Sequence, residues 1–353
     1  MLSWLQRSTI GKAMPRQLMD HDQVLPLYHP TSVLLVGDDV DCLHAMTLRL
    51  QRQFQCFACR TPREAIAIVR SQGPAVPPGL FDGAIGPPGT LEYIRDPDQR
   101  ALHLEASRLP RVFADASRFS RTSVIVAGHS QPALAMLAEL GDLPLRKLVV
   151  SDAAEEAMAA PALRDGLIDA ICCKRDEAFH VTLAAQLHRL QRAYFRDLTS
   201  PFAAALSRAD TRFLLAPALQ AAFDVFAAEH AIIEYCACMH PPGILGLDDD
   251  GNPAMLILVD DDYRQAAFEI AHAERAPTAL LQRLAHGNSI AVFPTDTGFY
   301  AQGLAIDWRD CLAPSRPLGE HGLRYAVVDE PEVIGKVCGA VASYASYRGR
   351  ALS

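Results

Sequence analysis

The sequence predicts two parts in tandem: an α/β part with a parallel sheet, then a smaller α+β part. Three observations carry this reading. Short runs rich in Val, Ile and Leu at 32–36, 123–127, 147–151 and 170–173, with a further strand at 54–58, alternate with stretches of helical periodicity. Several runs are apolar throughout, as strands covered on both faces must be. Beyond residue 200 the grammar changes to short apolar runs separated by turn clusters.

The elements follow in order. Ser32-Val33-Leu34-Leu35-Val36 reads as a buried strand, and Gly37-Asp38-Asp39 after it as an acidic loop. Leu43, Met46 and Leu50 recur at helical spacing within 41–53. Phe54 to Ala58 is a second strand. Thr61-Pro62-Arg63-Glu64 then opens a helix, with Thr61 as N-cap, Pro62 at the first position and Glu64 completing a capping box. Residues 73–121 break the pattern with Pro74, Pro77, Pro78, Pro87 and Pro88 and a polar, arginine-rich stretch, so they read as an insertion. The alternation resumes with helices expected at 132–140, 155–164 and from Ala178 onward. Strands joined by helices make right-handed βαβ units. The flavodoxin-like, doubly wound strand order 2-1-3-4-5 fits, with functional loops at the carboxyl ends of the strands. This unit spans 31–180.

Composition narrows the class. The 353 residues carry a formal net charge of −8, which argues against broad nucleic-acid affinity, since phosphate binding needs clustered Lys and Arg. No apolar run is long enough to cross a bilayer. Residues 1–30 read as an extension with no assigned function; Arg7, Lys12 and Arg16 interrupt any secretory apolar core. The expectation is a cytoplasmic protein whose nine cysteines are reduced thiols, with no membrane and no nucleic-acid partner.

The residues after three strands carry a resemblance. Leu35-Val36-Gly37-Asp38-Asp39-Val40-Asp41, Leu148-Val149-Val150-Ser151 and Ile171-Cys172-Cys173-Lys174 resemble the receiver domain of response regulators. In that family an Asp at the end of the third strand takes phosphate. Acids after the first strand help hold Mg²⁺, which prefers oxygen ligands. A lysine neutralises the phosphoryl oxygens, and a Ser or Thr hydroxyl bonds one of them and switches the surface. The resemblance thus implies receiver-pocket roles for Asp38, Asp39, Ser151 and Lys174, Mg²⁺ at Asp38, and a sensor kinase or other signalling protein as partner.

The sequence departs from that pattern twice. Gly37 stands where the acid pair should begin, leaving Asp38 as the matching acid. Val124-Ile125-Val126-Ala127 leads into Gly128, which has no carboxylate to phosphorylate. Asp82, in Leu80-Phe81-Asp82 with Pro87-Pro88-Gly89 after it, is an alternative acceptor; against it, Pro77, Pro78 and Gly79 leave no room for a buried strand.

The second part begins with a stripe of Leu183, Leu187, Leu190, Tyr194 and Leu198. It suits a linker helix over 181–200 that packs within its own chain or pairs with a second copy in a homodimer. Helices near 199–207 and 215–229 follow. Strands at 231–238, 243–247 and 255–259 make an antiparallel meander. Helices at 263–274 and 278–286, the second closed by Gly287, strands at 289–293 and 323–328, and a closing helix at 331–347 complete an α+β output domain over 201–353. It shows no helix-turn-helix with a basic recognition helix. Phe293-Pro294-Thr295-Asp296-Thr297-Gly298-Phe299-Tyr300 is similar to a stretch in unusual response regulators whose output half is not a DNA-binding module, some linked to quorum sensing.

Smaller signals have plainer readings beside them. Asp296, Phe299 and Tyr300 could line an output pocket, or the segment could be a structural turn. Cys56-Phe57-Ala58-Cys59 lies on a strand rather than at a helix start, which favours packing over redox chemistry. Cys236, Cys238 and His240 would share one strand face but supply only three metal ligands. Asp260-Asp261-Asp262 precedes a helix, where acids cap. The functional expectation is a signalling protein with a pseudo-receiver that works through protein contacts. The alternatives are a phosphorelay regulator using Asp82 and a ligand- or nucleotide-binding output domain. No catalytic motif is present.

Overall fold

A computed structural model describes residues 23–72, 81–82, 91–94, 101–104, 106–200, 218–239, 241–295, 297–319, 322–329 and 340–351. The chain opens with β1 (Leu27–Tyr28), then β2 (Ser32–Val36), α1 (Val40–Leu50), β3 (Gln55–Cys59) and α2 (Pro62–Ser71). The capping box at Thr61 and Glu64 is present in full, with Pro62 in the first turn. Three short strands follow: β4 (Phe81–Asp82), β5 (Leu91–Ile94) and β6 (Ala101–Leu104). They form a separate antiparallel sheet in the order β4-β6-β5. Two 3₁₀ turns, at Ala106–Ala114 and Ala116–Phe119, lead into β7 (Thr122–Gly128). Then come α3 (Gln131–Glu139), β8 (Arg146–Ser151), α4 (Ala153–Arg164), β9 (Ala170–Cys173) and α5 (Phe179–Leu198).

The first large sheet runs β3-β2-β7-β8-β9, all parallel, which is the expected order 2-1-3-4-5. Successive side chains of a strand point to opposite faces. Val33, Leu35, Val124, Val126, Leu148 and Val150 therefore pack under α1 and α5, against Leu43, Met46, Leu183 and Leu187. Leu34, Val36, Ile125, Ala127 and Val149 pack under α2 and α3, against Ala65, Val69, Met136 and Leu137. Both faces are covered, which explains the apolar runs. Each fully buried Leu or Val contributes roughly 1.5–3 kcal/mol of transfer free energy.

The second half comprises α6 (Ala218–Glu229), β10 (Glu234–Met239), β11 (Pro242–Leu247), β12 (Pro253–Val259), α7 (Asp261–Ala273), α8 (Thr278–His286), β13 (Ser289–Ala291), β14 (Leu312–Pro314), β15 (Arg316–Pro317), β16 (Arg324–Asp329) and α9 (Tyr344–Ala351). The meander β10-β11-β12 is antiparallel as expected, and β16 pairs with β12. Gly243 permits the close approach of β11 and β12, because a Cβ there would sit 2.3 Å from the Leu256 carbonyl oxygen. Gly287 ends α8 in the left-handed region at φ 67°. Asp260 caps α7, accepting from the Tyr263 backbone N–H at 2.8 Å. Of the helix expected near 199–207, residues 201–207 lie outside the described residues.

Three features differ from the sequence reading, and a fourth, the stripe on α5, follows its within-chain alternative. Residues 27–28, within the extension, form β1 and pair antiparallel with β10, so the extension closes one edge of the six-stranded antiparallel sheet. The stripe on α5 serves two cores of its own chain: Leu183, Leu187 and Leu190 face the parallel sheet, while Tyr194 and Phe195 enter the core of the second half. The closing helix does not run through 331–347, because residues 340–343 are non-helical and α9 starts at Tyr344. The strand expected at 289–293 stops at Ala291, where the chain enters a turn.

Candidate functional site

The parallel topology gathers the ends of β2, β7, β8 and β9 at one edge. A cleft of about 80 Å³ lies there, lined among others by Gly37, Asp38, Asp39, Gly128, Val150 and Lys174. Four of the five pocket positions read from the sequence are thus brought together. The fifth, Ser151, directly follows Val150 on β8. Backbone bonds fix the rim: Gly37 N–H donates to the Cys59 carbonyl at 3.2 Å, His129 N–H to Val150 at 3.1 Å, and Lys174 N–H to Ser151 at 2.9 Å.

The side chains differ in what they are free to do. Asp39 is the N-cap of α1, and its Oδ1 accepts from the Cys42 N–H at 3.0 Å. Asp38 and Lys174 are exposed. Ser151 is fully buried, and its Oγ has no hydrogen-bond partner among the described residues. A buried hydroxyl without a partner costs on the order of 1–3 kcal/mol, so it is an unusual feature. At Gly128 a Cβ would meet no heavy atom of the described residues within 4 Å. The position has room for a side chain and carries none.

The donor set is a poor match for Mg²⁺, which takes near-octahedral oxygen ligands with one or two carboxylates among them. One of the two acids is committed to capping a helix, and Gly37 and Gly128 bring no side-chain oxygen. Asp38 alone remains. Asp82 lies on β4, paired antiparallel with His103, and so belongs to the small sheet rather than to the edge where β2, β7, β8 and β9 end.

In the second half, Asp296 lies outside the described residues. Phe299 and Tyr300 are packed on neighbours: Phe299 against the Tyr263 ring at 5.0 Å, and Tyr300 edge-on to Phe293 at 5.3 Å. Thr295 Oγ1 donates to the Phe299 carbonyl at 2.9 Å, and Gly298 adopts φ 77°. The segment is built as a turn. Beside it, a cleft of about 610 Å³ is lined by Pro294, Ile306, Asp307, Asp310, Leu312 and Asp329, among others. Phe299 and Tyr300 do not line it. Only Pro294 of the motif pointed there, and the acids of 305–310 gave no periodic or motif signal.

The cysteines sit in packed surroundings. Cys56 and Cys59 lie on β3, and burial pushes their thiols up to about 12 and about 11, away from thiolate reactivity. Cys236 and Cys238 are buried in the output core, and His240 lies outside the described residues.

The site that sequence reasoning missed joins the two halves. Arg118, in the second 3₁₀ turn, is buried, and so is Glu234 at the start of β10. Arg118 Nε and Nη2 donate to the two Glu234 oxygens at 2.9 and 2.8 Å. Nη1 donates to the carbonyls of Phe113 and Asp115, both at 2.9 Å, and Nη2 to Ala342 at 2.7 Å. The guanidinium lies 3.9 Å from the centroid of Phe119. Burial raises the Glu234 carboxyl to about 7 in spite of Arg118. The spacing of 116 residues between the partners leaves no local signal in the sequence.

No protein-family model matches the sequence, and no curated protein matches it. Among solved structures, the response regulator LqsR of Legionella pneumophila superposes with a TM-score of 0.70 at 21% identity, covering 92% of this chain and 95% of its own. A receiver domain of an HD-domain protein from Pseudomonas fluorescens covers 50% of this chain at 10% identity and TM-score 0.32. A receiver domain of a putative LuxO repressor from Vibrio parahaemolyticus covers 48% at 15% and 0.30. The chain therefore has, over nearly its whole length, the fold of a Legionella response regulator: a receiver-like parallel sheet followed by a second half built on an antiparallel sheet.

Proposed function

We propose that this chain is a response-regulator-like signalling protein whose receiver half works as a pseudo-receiver, through protein contacts rather than by aspartyl phosphorylation. The observation that carries it is Gly128. It occupies the end of the third strand of the parallel sheet, on a cleft shared with Asp38, Asp39 and Lys174, and has no carboxylate. The buried Ser151 hydroxyl fits the same reading, since its phosphoryl partner would be missing. On this reading the partners are a sensor kinase or another signalling protein, and a second copy of the chain; the setting is the cytoplasm, and a quorum-sensing circuit is the context that LqsR suggests.

Intact mass after incubation with Mg²⁺ and acetyl phosphate tests it. The expected result is no phosphate adduct on the folded protein. An adduct that Asp82→Ala removes would move the acceptor to β4 and restore a relay. A second reading rests on the cleft of about 610 Å³ beside the 293–300 turn: the output half binds a small molecule there. A nucleotide panel read by melting temperature tests it, and no shift with any member would remove it.

A further inference from the structure

Arg118 is more than a buried pair with Glu234. Its guanidinium has five N–H donors, and five acceptors surround it: two oxygens of Glu234 and the carbonyls of Phe113, Asp115 and Ala342. Those acceptors come from three separate stretches of chain: the 3₁₀ turns, the first residue of β10, and the segment before α9. Arg118 itself stands four residues before β7, whose far end is Gly128. Phe119 beside it packs against Tyr344 and Tyr347 of α9, at 5.0 and 5.3 Å. Ala342 N–H returns a bond to the Phe113 carbonyl at 2.9 Å. Beside the apolar packing of Leu109, Val112 and Phe113 in the core of the second half, this one cation gathers the side-chain hydrogen bonds that tie residues 113–118 to β10 and to Ala342.

We propose that Arg118 and Glu234 form an interdomain lock, which holds the 106–119 turns, the output sheet and the C-terminal helix as one body with the receiver's third strand. Opening it releases the turns and α9 together while both sheets stay folded. The lock does not depend on phosphate chemistry at the receiver cleft. A buried ion pair suits such a device: breaking one partner is costly, whereas replacing both with apolar groups leaves a packable interior.

Hydrogen–deuterium exchange on the full chain tests the lock. The variants are Glu234→Gln and the double substitution Arg118→Met with Glu234→Met; the double variant leaves no unpaired charge. The expected result is exchange about tenfold faster at 106–119 and 342–351 together, with β2, β7 and β8 as protected as in the parent chain. Three results would overturn the proposal: unchanged exchange in both variants, faster exchange confined to one of the two segments, or uniform loss of protection across both sheets in the double variant. The last would make the pair a general requirement for folding rather than a lock.

Discussion

The two halves treat charge differently. The parallel sheet buries one charged side chain on its strands, Lys147 of β8, while Asp38 and Lys174 stand exposed at one edge. The second half carries Glu234 inside, fully buried at the start of a strand and matched by an arginine from the first half. A site at a sheet edge can change partners at little cost. A charge buried between halves cannot, and this makes the interdomain contact specific to one arrangement.

Single substitutions sharpen that contrast. Glu234→Leu leaves the Arg118 cation buried without its carboxylate and should cost about 3–5 kcal/mol in urea unfolding. A cost under about 1 kcal/mol would mean that the interior there is wet. Leu34→Ala, at the centre of the parallel sheet, should cost roughly 2–5 kcal/mol from lost burial and the cavity left behind. Thr61→Ala removes the N-cap of α2 and should cost about 1 kcal/mol. Lys174→Ala, exposed at the cleft, should change stability by less than about 0.5 kcal/mol, so any larger effect would point to a role the fold does not require.

The buried titratable groups add a pH test. Burial drives His29 down to about 3 from 6.5, so the folded chain holds it neutral. Between those values the unfolded chain binds more protons, and the His29 contribution falls as pH drops below 6.5. Glu234 is raised from 4.5 to about 7, so the folded chain binds more protons there and its contribution falls as pH rises through that window. The two slopes oppose each other. In His29→Asn the Glu234 slope should outweigh the smaller one of His180, with stability lower at about pH 7 than at about pH 5. A rise over the same interval would show that Arg118 keeps Glu234 ionised throughout.

Legibility followed locality. The parallel sheet could be read strand by strand because burial on both faces writes continuous apolar runs, and Thr61 with Glu64 writes a cap within four residues. The cleft positions followed from strand ends. The contacts between the halves could not be read. A two-residue strand such as Leu27–Tyr28 has no period to detect, and Arg118 in a polar stretch looks like any surface arginine until Glu234 is placed beside it. The break in the helix expected over 331–347 could not be read either: residues 340–343 are non-helical, and α9, packed on Phe119, begins at Tyr344.

The pairing of Leu27–Tyr28 with β10 also has a consequence in time. The segment that closes the output sheet is made early, and its partner strand roughly 200 residues later. At synthesis rates of about 5–20 residues per second, β1 waits on the order of 10–40 s for the strand it pairs with. The parallel sheet can be complete in that interval, with Arg118 and the residues before β2 still unsatisfied. The second half then folds onto a first half that already presents its edge strand and its cation, so the order of assembly is written into the threading of the chain.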